Sequence, residues 1–318
     1  MTSGPRLLYE LDEPALGRAG RDQRYPKWAT LCLLRSLGHP VLNGGCISPS
    51  QGLGVVRIVA RRLCSAVNAD RLLLRSDGGI ETSTYYRGGT TFDLDALLPR
   101  AARLFDLGRA VIVMEPTNRF TNRLSATIRI DRSAHRHAGS LVVEVLGPGF
   151  DVSDLTRGGI APQLRFSAEH VSWHHYEEPW WSDFRPTVLM SPEAEQRRRR
   201  QRLARLARDV LVDLAELPPD AAVSAAASWL RRRGYNALWD PLSSLEAVRE
   251  LPRWYEDAFL VGNALLGRPW RCLALSFSRL GGGRSIYWDV VDGQHKFGQP
   301  LGQTRGRLAL GDPHDLSR

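Results

Sequence analysis

Apolar positions recur along this chain with two periods, near 3.6 residues in some stretches and near 2 in others, so helices and strands are both expected. Residues 25–38 read as a helix, with Pro26 in its first turn and Gly38 as a left-handed close. Residues 55–67 form a second amphipathic helix, and the short apolar run 72–75 is a strand that must be buried. A helix started by Asp93 or Asp95 follows over 93–105, then a buried strand over 110–115. From 124 to 130 apolar residues alternate with Ser, Thr and Arg, the pattern of a half-exposed strand. Further strands are expected over 140–147, 163–167 and 170–176, before an aromatic, proline-punctuated connector at 178–186.

Ser191 and Pro192 open a helix that runs to residue 217 and stops at Pro218-Pro219, and a shorter one follows over 221–233. Residues 271–278 and 285–291 read as two strands joined by Gly281-Gly-Gly-Arg, an antiparallel hairpin. This order of elements predicts an α/β (α+β) fold in two lobes, residues 1–186 and 187–318, with a helical linker between them. A cleft between lobes is a common nucleotide site.

The net charge of +9, from 43 Lys and Arg against 34 Asp and Glu, would suit a nucleic-acid partner. Its distribution argues against one. The arginines at 197–200, 202, 205 and 208 accompany Leu203, Leu206, Val210, Leu211 and Leu214 at helical spacing, so they are expected on the wet face of an amphipathic helix. No aromatic alternation accompanies them. Cys32, Cys46, Cys64 and Cys272 show no CxxC spacing, which points to reduced thiols in a cytoplasmic protein and away from zinc. No apolar run reaches membrane-spanning length and the start lacks a signal-peptide pattern, so no membrane partner is expected.

Candidate chemistry begins at Leu72-Leu-Leu-Arg-Ser-Asp-Gly-Gly-Ile-Glu81. A buried strand delivers Arg75 from a fixed backbone, and a guanidinium suits phosphate oxygens. The alternative is a strand-end arginine paired with a carboxylate such as Glu81.

The pieces then line up with a known family. Lys27-Trp-Ala-Thr-Leu-Cys-Leu-Leu-Arg-Ser-Leu-Gly-His-Pro-Val41 resembles the opening of the nucleotide-binding domain of phosphoenolpyruvate synthase and pyruvate phosphate dikinase, a domain of the ATP-grasp type. Leu74-Arg75-Ser76 with Glu81 resembles its Val-Arg-Ser-Ser signature, and Val111-Ile-Val-Met-Glu115 its adenine-hinge strand. Glu144-Val-Leu-Gly-Pro-Gly-Phe-Asp-Val152, followed by Gly158-Gly-Ile-Ala-Pro162, resembles its glycine-acidic loop. The resemblance covers residues 25–176 and loosens afterwards. It implies Mg-ATP in a bilobal cleft, with Lys27, Arg75 and Arg305 on the phosphates. Glu115 and Asp151 would bind adenine and ribose, with Glu144 in reserve for the ribose. Gln303 falls in the matching Gln-x-Arg, and Asp289 would hold magnesium unless it lies on a solvated strand face.

The departures are specific. Asp77 replaces the signature's second serine, Phe150 displaces the acidic residue after Gly149, and Tyr287-Trp288-Asp289 keeps one metal carboxylate of two. The family's phosphohistidine domain has no counterpart. The expected function is therefore an Mg-ATP-dependent phosphotransferase or ligase, acting on a small-molecule acceptor or on a separate phosphohistidine-domain protein. A non-catalytic nucleotide-binding module and a basic nucleic-acid-binding protein are the alternatives.

Overall fold

The computed structural model describes residues 7–22, 24–78, 91–117, 121–132, 138–156, 160, 162–172, 186–189, 191–210, 219–232 and 272–292, with scattered helical residues between 246 and 261. The fold is α+β and is built on two antiparallel sheets.

The first sheet has four strands in the order β1-β4-β2-β3: β1 (Gly44–Ile47), β2 (Leu72–Asp77), β3 (Thr91–Phe92) and β4 (Ala110–Met114). β1 and β2 both run antiparallel to β4, so they are parallel to each other and need a crossover. Helix α3 (Gly52–Val67) supplies it, and α4 (Leu94–Asp106) links β3 to β4 in the same way. Val56, Val59, Ala60 and Leu63 of α3 and Leu97, Ala101 and Leu104 of α4 pack on Leu72, Leu74, Val111 and Val113. Burial of one such leucine or valine contributes about 1.5–3 kcal/mol. Asp93 caps α4 through a 2.8 Å bond from Ala96 N, and Asn68 closes α3 at φ 48°. Strand β1 starts on glycine because a Cβ at Gly44 would stand 2.7 Å from the Val113 carbonyl oxygen.

The second sheet has six strands in the order β10-β9-β5-β6-β7-β8: β5 (Leu124–Arg132), β6 (Ala138–Leu146), β7 (Leu164–Ser172), β8 (Pro186–Leu189), β9 (Cys272–Arg279) and β10 (Ser285–Asp292). The expected pieces at 163–167 and 170–176 are one strand over their described residues, Leu164–Ser172, and β9–β10 is the expected hairpin, turned by residues 281–283. Strands from both sides of residue 186 share this sheet.

Helix α2 (Pro26–Ser36) lies between the sheets, preceded by the short α1 (Glu13–Ala19). Its Trp28, Leu31 and Leu34 join Leu73, Ile112 and Met114 of the first sheet. From the second sheet Ala126, Ile128, Val143, Phe166, Leu275 and Phe277 enter the same core, with Leu251 and Trp254. Gly38, at φ 80°, lets His39 N donate to the Leu34 carbonyl and end the helix.

The half-exposed strand expected at 124–130 is buried on both faces: Ser125, Thr127 and Arg129 are 0%, 3% and 3% exposed. It is a central strand of six, so elements cover its polar side as well. One of them is α5 (Val152–Thr156), which lies against β5 and β9. Helices α6 (Pro192–Val210) and α7 (Pro219–Arg232) match the two expected helices over their described lengths.

Candidate functional site

Strand parity aims the first two groups. On β2, Leu72 and Leu74 face α3 and α4, while Leu73 faces the α2 side, so Arg75 and Asp77 belong to the α2 side as well. Asp77 is 1% exposed and accepts from Lys27 N (3.2 Å), Trp28 N (2.8 Å) and Gly78 N (2.8 Å). Two of those are open N–H groups of the first turn of α2, so the end of β2 caps a helix about fifty residues away in sequence. Burial pushes the Asp77 carboxyl pKa up, while the three N–H donors and the Lys27 ammonium pull the other way. Lys27 Nζ itself donates to the Ser76 carbonyl at 3.1 Å.

Arg75 reaches across to the second sheet, where its Nη1 donates to the Trp288 carbonyl at 2.8 Å. A bulge makes this possible. Tyr287 opposes Phe277 and Asp289 opposes Ser276, leaving Trp288 as the extra residue of β10, outside the ladder pairing. The Trp288 indole donates to Ser278 Oγ at 2.8 Å, Ser278 and Ser125 share a 2.8 Å bond, and Ser125 Oγ donates to the Phe150 carbonyl at 3.0 Å. Hydrogen bonds therefore run unbroken from Arg75 to the residue before Asp151.

Across the polar side of this sheet, Ser276, Thr127, Glu144 and Arg165 oppose one another in one register row. Opposed residues share a face. Glu144 is mostly buried there, with Arg165 Nε 4.0 Å from its carboxylate. Glu115, 5% exposed at the end of β4, accepts from Arg284 Nη2 at 2.5 Å and Asn43 Nδ2 at 3.2 Å. It ties the first sheet to the start of β10. Asp151, also buried, donates its backbone N–H to Asp154 Oδ2 at 3.0 Å.

Of the expected site residues, Lys27 and Arg75 meet where α2, the end of β2 and the bulge of β10 come together. Glu115 lies at the start of β10, Glu144 on the polar side of the second sheet, and Asp151 beyond Phe150. The backbone of Asp289 is paired with Ser276 beside the bulge, and its side chain lies outside the described structure. Glu81, Gln303 and Arg305 lie outside the described residues. Among the described residues no group of three or more His, Cys, Asp or Glu could hold a metal ion, and no helix is long and apolar enough to cross a membrane. Burial pushes the Cys32 thiol up to about 12.

Three arginines expected on a wet helix face are buried instead: Arg198, Arg199 and Arg202 are 1%, 7% and 2% exposed. Arg198 donates to Gln163 Oε1 at 3.0 Å and stacks 4.8 Å above the Phe150 ring, and Arg202 Nε lies 2.9 Å from Asp154 Oδ2. The signal was composition within the helix. From 192 to 204 only Pro192, Ala194, Leu203 and Ala204 are apolar, so any packed face must include arginine.

No protein-family model matches the chain, and no curated protein matches it. Among solved structures it is similar to D-cycloserine synthetase DcsG, at 12% identity and a TM-score of 0.39 over 83% of this chain and 61% of that one. It is similar also to the D-alanine-D-alanine ligase from Coxiella burnetii, at 8% identity and 0.38 over 86% and 48%. A third is the ATP-grasp ligase PsnB complexed with minimal precursor, at 10% and 0.34 over 91% and 57%. The chain thus spans about half to three fifths of the length of the structures it matches.

Proposed function

We propose that this protein is a cytoplasmic, Mg-ATP-dependent enzyme of the ATP-grasp type, a ligase or phosphotransferase. The observation that carries the reading is the bond from Arg75 Nη1 to the carbonyl of Trp288, next to Asp289. It brings a cation of the first sheet onto the strand of the second that bears an acidic residue, with the Lys27 ammonium on the neighbouring Ser76 carbonyl. Each cation has a neutral carbonyl among its partners, which phosphate oxygens can replace with a charge-assisted bond. The cationic groups therefore fit a triphosphate. Magnesium needs few protein carboxylates, since phosphate oxygens and water complete its shell, so Asp289 alone is a sufficient candidate on this chain.

In this reading Lys27 and Arg75 neutralise the phosphates, and Arg305 with Gln303 adds to them. Glu115, Glu144, Asp151 and Glu81 are the candidate contacts to base and ribose. Bound Mg-ATP would supply the phosphoryl group, and electrostatic positioning by these side chains would be the protein's main contribution. The acceptor is a small molecule or a separate phosphohistidine-domain protein.

The test is thermal stabilisation of the full chain by Mg-ATP, with ATP consumption measured on candidate acceptors. Arg75→Ala should abolish the stabilisation, while Arg197→Ala, on the exposed side of α6, should leave it intact. Asp289→Asn should stop ATP consumption while nucleotide still binds. Equal Mg-ATP stabilisation in the wild type and Arg75→Ala would end the reading.

A second reading, a nucleotide-binding module without chemistry, has its own observation. The N–H groups at the start of α2 hold the protein's own Asp77, and Glu115 is held by Arg284. Nucleotide binding without consumption of ATP on any acceptor would favour it.

A further inference from the structure

We infer that the buried face of α6 around Arg202 is a binding site for an oxyanion, a phosphate or carboxylate group on a small ligand. The inference is separate from the nucleotide reading. Arg202 is 2% exposed, and its Nη1 and Nη2 are buried without a hydrogen-bond partner. Its Nε lies 2.9 Å from Asp154 Oδ2, a close ion pair that is not aligned as a hydrogen bond. That carboxylate oxygen also accepts from Asp151 N at 3.0 Å, so it is shared.

A guanidinium cannot shed its proton to escape burial, and its two Nη groups carry four N–H donors. Leaving them unmet in a dry site is costly, and water or an anion is the usual resolution. The neighbourhood favours the anion. Arg198 lies one turn earlier on the same face of α6, and Arg199 is buried beside it. Like charges four residues apart on a helix repel, the more so when desolvated. The pair of Nη donors has the fork geometry that matches two oxygens of one phosphate or carboxylate.

The experiment titrates the full chain with inorganic phosphate and, separately, with succinate, following the thermal midpoint at ionic strength held constant with chloride. One of the two is expected to give a saturable rise that chloride does not, and which one does so identifies the oxyanion. Arg202→Met should remove the rise. Arg202→Lys, which keeps the charge and loses the fork, should weaken half-saturation by about tenfold. The exposed Arg197→Met should titrate like the wild type. If Arg202→Met does not fold, Arg202→Lys carries the comparison.

No saturable rise with either anion, or a wild-type response in Arg202→Lys, would overturn the inference. No nucleotide is present in these titrations. Their failure leaves the Mg-ATP result standing, and the reverse holds too.

Discussion

Asp77 and Arg202 stand near the two ends of one polar chain, which runs from the end of β2 through Trp288, Ser278 and Ser125 to Phe150. Both are buried to within 2% of full exclusion from solvent, yet their surroundings differ. Asp77 has three backbone N–H donors and the positive end of α2 around its carboxylate. Arg202 has one shared carboxylate oxygen and two unmet nitrogens. A buried charge that the fold itself satisfies reads as architecture. One that the fold leaves half satisfied, on a group unable to neutralise, points to something from outside. His39 supplies the intermediate case, because a histidine can meet burial by losing its proton.

The largest effect should come from removing the satisfied charge. Asp77→Ala strips the cap from α2 and leaves two first-turn N–H groups buried, which should lower the unfolding free energy by about 3 kcal/mol. Urea unfolding reads this directly, and a loss below about 1 kcal/mol would undo the contrast.

His39 should produce a smaller, graded effect. Its ring is buried against Tyr287, with Nδ1 3.3 Å from Asp257 Oδ1, and Arg253 Nε lies 3.5 Å from the same carboxylate. Burial lowers its pKa below the ordinary 6.5, Asp257 opposes the shift, and Arg253 adds to it. The unfolded chain therefore takes up the proton first. Stability present above pH 6.5 is lost as pH falls from there through the folded-state pKa. Unfolding at about pH 7.5 and about pH 5 should differ more in the wild type than in His39→Phe. An equal difference would mean that folding leaves the pKa of the ring unmoved.

The pair Arg202→Met with Asp154→Asn should change stability less than Asp77→Ala does. Replacing a buried ion pair with neutral groups of similar volume is often close to neutral or favourable, so a change within about 1 kcal/mol is expected in chloride. A loss as large as that of Asp77→Ala would make Arg202 architecture too, and the contrast would fail.

Much of this was readable from local pattern. The cap at Asp93, the Gly38 close of α2 and the β9–β10 hairpin follow from turn and capping chemistry, which acts within a few residues. Parity along 72–77 sends Arg75 and Asp77 to the side opposite α3 and α4. What was not readable depends on pairing across the chain. The extra residue at Trp288 is a property of two strands in register, and nothing in Tyr287-Trp288-Asp289 marks it. The four-residue β1 is glycine-rich and weak by propensity, and it forms as the edge partner of β4. The buried arginines of α6 were misplaced because helical spacing says which residues share a face, and not what covers that face.

The smallest effect tests whether satisfaction, more than charge, sets the scale. Glu115 is 7% exposed at its side chain, but Arg284, its partner, is 49% exposed, so water competes for the guanidinium. Glu115 also keeps Asn43 Nδ2 at 3.2 Å when Arg284 is lost. Arg284→Gln should therefore cost about 0.5 kcal/mol, the range of an ion pair open to solvent, and the loss should shrink further as salt is added. Asp77→Ala should show a weaker salt dependence, because its hydrogen-bond partners are backbone N–H groups. Urea unfolding of both variants at low and high chloride measures the difference. A salt-insensitive loss of several kcal/mol in Arg284→Gln would mean that the junction between β4 and β10 depends on this ion pair as heavily as α2 depends on Asp77.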